Sequence, residues 1–164
     1  MGTLARRHWP AAHGRVPAAL GFSLIELLSV LAIMSLLLAL AVPAYHGHVV
    51  RAKRVQGQTT LLRLMQQQER YYSQNNHYLA FSSASPAPLA QAFAWWSGEG
   101  PAASAYEIEA LACPGSTIGQ CVLLRAMPGT SKVDAQFQDA DCGVLSLRST
   151  GQRGSSGPAS RCWP

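Results

Sequence analysis

Gly21-Phe22-Ser23-Leu24-Ile25-Glu26 heads an apolar run that reaches Tyr45. From Phe22 to Val42, a stretch of 21 residues, the only ionisable side chain is Glu26. At helical rise that stretch spans roughly 30 Å, the thickness of one hydrocarbon core. No comparable run follows Tyr45, so at most one span is available. A carboxylate inside a membrane-inserting segment costs roughly 2.5–3.5 kcal/mol. The segment therefore contains a charge that needs a use.

Two readings of the run compete. In the first it is the h-region of a secretory signal, with Arg6, Arg7 and Arg15 ahead of it and cleavage after Ala39-Leu40-Ala41. In the second the cut falls between Gly21 and Phe22, and the run stays as an anchor. Glu26 separates the two, because an ordinary h-region gains nothing from a buried charge. The helical pattern also continues past Ala41, which a secreted N-terminus does not need. A lipoprotein signal is excluded, since no cysteine lies near the leader. Residues 1–21 contain prolines and glycines but no acidic residue or apolar periodicity, and read as a leader without a fold of its own.

Gly21 followed by Phe22-Ser23-Leu24-Ile25-Glu26-Leu27-Leu28 resembles the class III signal of type IV pilins and type II secretion pseudopilins. The resemblance implies that a prepilin peptidase cuts after Gly21 and N-methylates Phe22. Glu26 then becomes the fifth residue of the mature chain. Physical chemistry gives that spacing a purpose. Cleavage frees an amine at Phe22, and a carboxylate four residues on can neutralise such a cation on its own chain or a neighbour's. A buried pair with both members present is far cheaper than either alone, so in an assembling bundle Glu26 sets register. Pro43, which the family also carries at this mature position, removes a helix hydrogen bond and should kink or loosen the helix around residues 39–43.

From Tyr45 to about Ser73 the pattern turns amphipathic. Val55, Leu62, Met65 and Tyr72 recur at helical spacing, with Leu61 and Leu64 widening the stripe, which is expected to pack on a C-terminal domain. Polar residues, Arg54 and Gln58 among them, are expected on the other faces, and Gly57 reads as a mild weakness. The whole helix would run to about 75–80 Å. Arg51, Lys53 and Arg54 mark the water side of the membrane boundary. Tyr71-Tyr72 followed by Asn75-Asn76 is a C-cap and turn signal, and resembles the end of the long helix in type IVa pilins. His77 is a lone histidine in a polar turn.

Residues 79–105 form a long connection rich in Ala, Ser, Pro and Gly, in which 89–96 has room for a short helical turn. Its Trp95-Trp96 pair either staples the loop to the sheet or forms a contact patch. Beyond it, Tyr106–Ala110, Cys121–Met127 and Val144–Arg148 read as strands divided by turn signals, giving an antiparallel meander of three or four strands. Four cysteines, Cys113, Cys121, Cys142 and Cys162, all fall in the last third. An even count behind an export signal indicates disulfides and an oxidising compartment. Zinc is disfavoured, because there is no Cys-x-x-Cys pair and no histidine beyond His77. Three connectivities are open; adjacency favours Cys113–Cys121 across a hairpin and Cys142–Cys162 around a loop, the latter worth roughly 3 kcal/mol in chain entropy.

The net charge of +5 misleads: removing Arg6, Arg7 and Arg15 with the leader leaves ten basic residues against eight acidic ones. That balance provides no nucleic-acid signature, and the basic cluster has no interleaved stacking aromatics. Asp134, Asp139 and Asp141 bring calcium to mind, but their spacing matches no EF-hand loop. No nucleophile elbow, phosphate loop or metal cluster points to catalysis, so no enzyme, cofactor or metal is expected.

Ala126-Met127-Pro128, Asp141-Cys142-Gly143-Val144-Leu145-Ser146-Leu147, Gly151 and Cys162-Trp163 carry a second resemblance, to the C-terminal region of PilE-type type IVa minor pilins, whose disulfide-bounded loop ends in Cys-Trp. Together the resemblances imply an α+β type IV pilin fold, with a long N-terminal helix packed on a small antiparallel sheet. Its expected parts are a leader at 1–21, a transmembrane and polymerisation half-helix at 22–45, an amphipathic half at 46–75, a connection at 76–105 and a disulfide-bounded sheet at 106–164. They imply a minor pilin that contributes to pilus biogenesis, adhesion and twitching motility. Its partners would be major and minor pilin subunits, prepilin peptidase, and the inner membrane with its assembly platform; a surface or DNA ligand is not identified. The chain would sit in the bacterial inner membrane with its C-terminal domain periplasmic, then in an extracellular pilus. The alternatives are a type II secretion pseudopilin, an anchored adhesion module that never polymerises, and a small secreted enzyme cut after Ala41.

Overall fold

The computed structural model describes residues 21–86, 88 and 92–164, without the side chains of residues 43 and 44. Most of the leader, residues 89–91 of the short helical turn expected within 89–96, and the Pro43 side chain therefore lie outside the description. One helix, α1, runs Leu24–Asn75, 52 residues. Contacts divide the chain into Met1–Ala41 and Val42–Pro164, taken here in turn.

In the first unit, helical backbone begins where the Ser23 carbonyl accepts the amides of Glu26 and Leu27. Ser29 and Ser35 return their hydroxyls to carbonyls three residues back within the helix, so neither needs a partner outside it. Every large apolar side chain here is exposed, from Phe22 and Leu24 through Leu40. The helix is long and apolar enough to cross a membrane.

In the second unit, residues from Val42 to Asn75 of α1 lead into a four-stranded sheet. The strands β1 (Tyr106–Ala112), β2 (Val122–Pro128), β3 (Leu145–Arg148) and β4 (Arg153–Ser155) follow one another as an antiparallel meander. Alternation assigns the faces. Tyr106, Ile108, Ala110, Val122, Leu124, Ala126, Leu145 and Leu147 are all buried and form one core with Leu61 and Leu64 of α1. Each buried aliphatic side chain contributes about 1.5–3 kcal/mol of transfer free energy. The opposite face carries Glu109, Leu123, Arg125, Ser146 and Arg148, all at least partly exposed.

The packing face of α1 is in part the one the apolar pattern predicts: Leu61 and Leu64 are in the core and Met65 and Tyr72 pack against it. Val55 and Leu62 are exposed, at 56% and 39%. The buried line is Arg54, Gln58, Leu61 and Gln68, with Met65 half-buried between them and Tyr72 half-buried one turn beyond. Three of those residues are polar, and each has a specific partner across the interface. Gln68 shows why: its side-chain amide donates to the Leu79 carbonyl at 2.7 Å and its carbonyl accepts the Leu79 amide at 2.9 Å. It thereby satisfies the chain just after the helix turns. Gly57 is a fitted contact rather than a weakness, since a Cβ there would come within 3.0 Å of the Tyr106 ring. The helix ends at Asn76, whose φ of 56° is the left-handed conformation that asparagine tolerates.

The connection at 76–105 protects the sheet. β1 is an edge strand, and bare edges invite unwanted pairing. Phe81 bridges Ala110 and Trp96 bridges Glu107, both antiparallel, so the connection lies along that edge. The Trp95 backbone carbonyl accepts the Ile108 amide at 2.7 Å, and the Trp95 ring stands edge-on to Trp96. The tryptophan pair thus staples the loop to the sheet. Phe81 stacks on Phe93 beneath it.

Candidate functional site

Two places gather the residues that sequence singles out. The first is the helix head. Gly21 and Phe22 precede α1 in non-helical backbone, and Phe22 is 80% exposed. Glu26 stands in the first helical turn and is exposed. A carboxylate is favoured there by the helix dipole and by any amine freed at Phe22. The structure places these residues at the same end of α1, with an uncharged, mainly apolar helix surface behind them as far as Val42. Helical backbone runs on through Pro43.

The second is the C-terminal loop. Cys142 and Cys162 are joined by a disulfide, as are Cys113 and Cys121, whose bridge closes the β1–β2 hairpin. The loop between Cys142 and Cys162 is held to α1 at both ends by residues one helical turn apart. Gln58 donates to the Cys162 carbonyl at 2.6 Å. Arg54 donates to Asp139 through two nitrogens, at 2.8 and 2.6 Å, and to Asp141 at 3.3 Å. Asp139 also accepts the Tyr106 hydroxyl at 2.6 Å and the Cys142 amide at 3.1 Å. One buried carboxylate therefore ties helix, sheet and disulfide together.

The electrostatics follow from that geometry. Burial pushes the Asp139 carboxyl up, but the hydrogen bonds from Arg54, Tyr106 and the Cys142 amide more than reverse this and hold it below the ordinary aspartate range. The hydrogen bond to Asp139 raises Arg54. Burial, reinforced by Asp139, raises the Tyr106 hydroxyl, which stays a donor at any physiological pH. Asp134 accepts the Gln136 amide within its own turn, and Asp141 is exposed beside Arg54. Among the described residues no group of three acidic, cysteine or histidine side chains is placed to hold a metal ion.

Arg54, Gln58, Tyr106 and Asp139 are the residues that sequence reasoning missed. A signal exists in the spacing: Arg54, Gln58, Leu61, Met65, Gln68 and Tyr72 recur at alternating steps of four and three, in phase with buried Leu61. Scoring polar residues as solvent-facing hides it.

The outward face of the sheet completes the inventory. Cross-strand register sets Arg125 opposite Ser146 and Leu123 opposite Arg148. Together with Val144, Ser155 and Ser156 they line a shallow concavity of about 250 Å³. Arg125 is paired with Glu109 at 3.1 Å.

Residues 43–146, more than half of the chain, match a family described as "Type IV minor pilin ComP, DNA uptake sequence receptor". No protein of curated function matches. Among solved structures, a type IV pilin from Shewanella oneidensis is 26% identical over 70% of this chain and 98% of that one, with a TM-score of 0.43. The non-core minor pilin PilV of Neisseria meningitidis is 20% identical over 70% of this chain and 94% of its own, with a TM-score of 0.44.

Proposed function

This chain belongs to the type IV minor pilin family, and on that premise we propose that it is a processed, polymerising subunit of a type IV pilus. Prepilin peptidase cuts after Gly21 and methylates Phe22. The helix from Phe22 to Val42 holds the precursor in the inner membrane, with the cysteine-bearing domain on the periplasmic side. Helix packing against major and minor subunits then carries the chain into the filament, where it serves pilus biogenesis, adhesion and twitching motility. One observation carries this reading: the first unit presents apolar side chains on every face of its helix, interrupted by the single charge of Glu26. A helix that is apolar all round is stable only in lipid or among other such helices. Recovery of the chain with filaments sheared from cells supports the proposal. Retention of all of it in the membrane, with filaments present, favours an anchored adhesion module instead.

A second reading has a specific observation in its favour. The matched family is described as a receptor for a DNA uptake sequence, and the outward sheet face places Arg125 and Arg148 beside Ser146, Ser155 and Ser156. Arginine and hydroxyl groups are the usual partners of phosphate oxygens. The net charge alone offers no hint of this, because what counts is the placement of the arginines on one surface. The domain should then bind duplex DNA with an affinity that falls as salt rises. Each of Arg125→Gln and Arg148→Gln should flatten the log–log salt slope by about one unit. Unchanged slopes in both variants would remove the sheet face from the DNA reading.

A further inference from the structure

The juxtamembrane cluster Arg51, Lys53 and Arg54 is split by the fold. Arg54 is buried on Asp139. Lys53 donates to the Ala103 carbonyl at 3.3 Å. Arg51 stays exposed, its Nε 3.4 Å from the Gly47 carbonyl, so the guanidinium folds back toward the apolar end of the helix. A second exposed guanidinium, Arg161 of the C-terminal segment, lines the same groove as Arg51, with His46 and Val50 on the helix side and Asp141 opposite. The groove measures about 590 Å³. None of the three ion pairs among the described residues involves Arg51 or Arg161.

Charge and position together define what fits. Arg54, Asp139 and Asp141 form a group with one net negative charge, and Arg51 and Arg161 outweigh it by one. The groove therefore suits a monoanion. At helical rise, His46 lies about 6 Å and Arg51 about 13 Å beyond Val42, where the uninterrupted apolar run ends. The headgroup layer on each side of a bilayer is roughly 5–8 Å thick, and an arginine side chain reaches back toward it. We propose that this groove binds the phosphate of an anionic phospholipid headgroup, held by Arg51 and Arg161, while the subunit resides in the membrane. The inference rests on the membrane-anchor reading above. The bound lipid fixes how the domain stands on the bilayer before assembly, and it must be released when the subunit leaves.

The test uses the mature full-length chain in nanodiscs of phosphatidylcholine, with or without phosphatidylglycerol, and counts co-released lipid by native mass spectrometry. The chain should retain a phosphatidylglycerol molecule from the mixed discs. Arg51→Gln/Arg161→Gln should lower that retention about tenfold or more. Arg63→Gln/Arg70→Gln, which removes the same charge from exposed positions elsewhere on the helix, should not. Equal loss in both double variants would overturn the proposal, as would a wild-type chain that inserts yet retains no anionic lipid. Inorganic phosphate should not displace the lipid at millimolar concentration; displacement would identify a free-phosphate site. Failure to enter nanodiscs at all would instead sink the anchor reading, and the groove proposal with it.

Discussion

Asp139→Ala should lower the stability of the C-terminal domain by about 3–5 kcal/mol, the range for removing one partner of a buried ion pair. The reason lies in what stays behind. The Arg54 side chain is 10% exposed and would keep its charge without the carboxylate that faces it. The Tyr106 hydroxyl and the Cys142 amide would lose the same acceptor. At about 4 °C per kcal/mol for a domain of this size, the thermal midpoint should fall by about 12–20 °C with both disulfides intact. Arg54→Leu should cost a similar amount. The double variant Arg54→Leu/Asp139→Leu should be less destabilised than the two single effects combined, because neither charge remains buried alone. A fall of only a few degrees in either single variant would mean that the pair is not the tie between helix and loop.

The same carboxylate gives the domain a pH signature. Its folded pKa is depressed below the ordinary aspartate value of about 3.9. The sign follows: its contribution is fully present above that ordinary value and is lost as pH falls through the folded one. Acid unfolding should therefore begin below about pH 4, and Asp139→Asn should flatten that limb.

Glu26→Ala should have the other large effect, and at a different step. Removing the carboxylate makes membrane insertion easier by about 2.5–3.5 kcal/mol, so the precursor should still be inserted and cut. Incorporation into filaments should fall at least about tenfold, because an incoming subunit's amine at Phe22 would be buried without its counter-charge, a loss of the size just given for a broken buried pair. Immunoblots of the sheared-filament and membrane fractions measure this directly. Normal incorporation of a processed Glu26→Ala chain would remove the register role.

The fold was legible where chemistry is local. The span from Phe22, the turn at Asn75-Asn76 and the alternating strands each depend on residues near in sequence, and β1, β2 and β3 lie within two residues of their expected bounds. The facing of α1 was legible only in part. Leu61, Leu64, Met65 and Tyr72 of the expected stripe pack on the core, but Val55 and Leu62 face solvent while Arg54, Gln58 and Gln68 are buried. The face is chosen by polar partners far off in the chain: Asp139 is 85 residues from Arg54, and Cys162 is 104 from Gln58. No window of helical periodicity reaches that far. The helix head was read from its apolar run, its lone carboxylate and its resemblance to the class III signal, and the family match begins only at residue 43.

The central claim is that Gly21 and Glu26 serve one device, an amine made by processing and the carboxylate that receives it. Intact mass and N-terminal peptide analysis of the chain recovered from sheared filaments tests it most directly. The account predicts a mature chain that begins with N-methylated Phe22 and carries Glu26 four residues on. A chain that begins at Val42, after Ala39-Leu40-Ala41, would contradict it, because the apolar helix and its single carboxylate would then be gone before any assembly could use them.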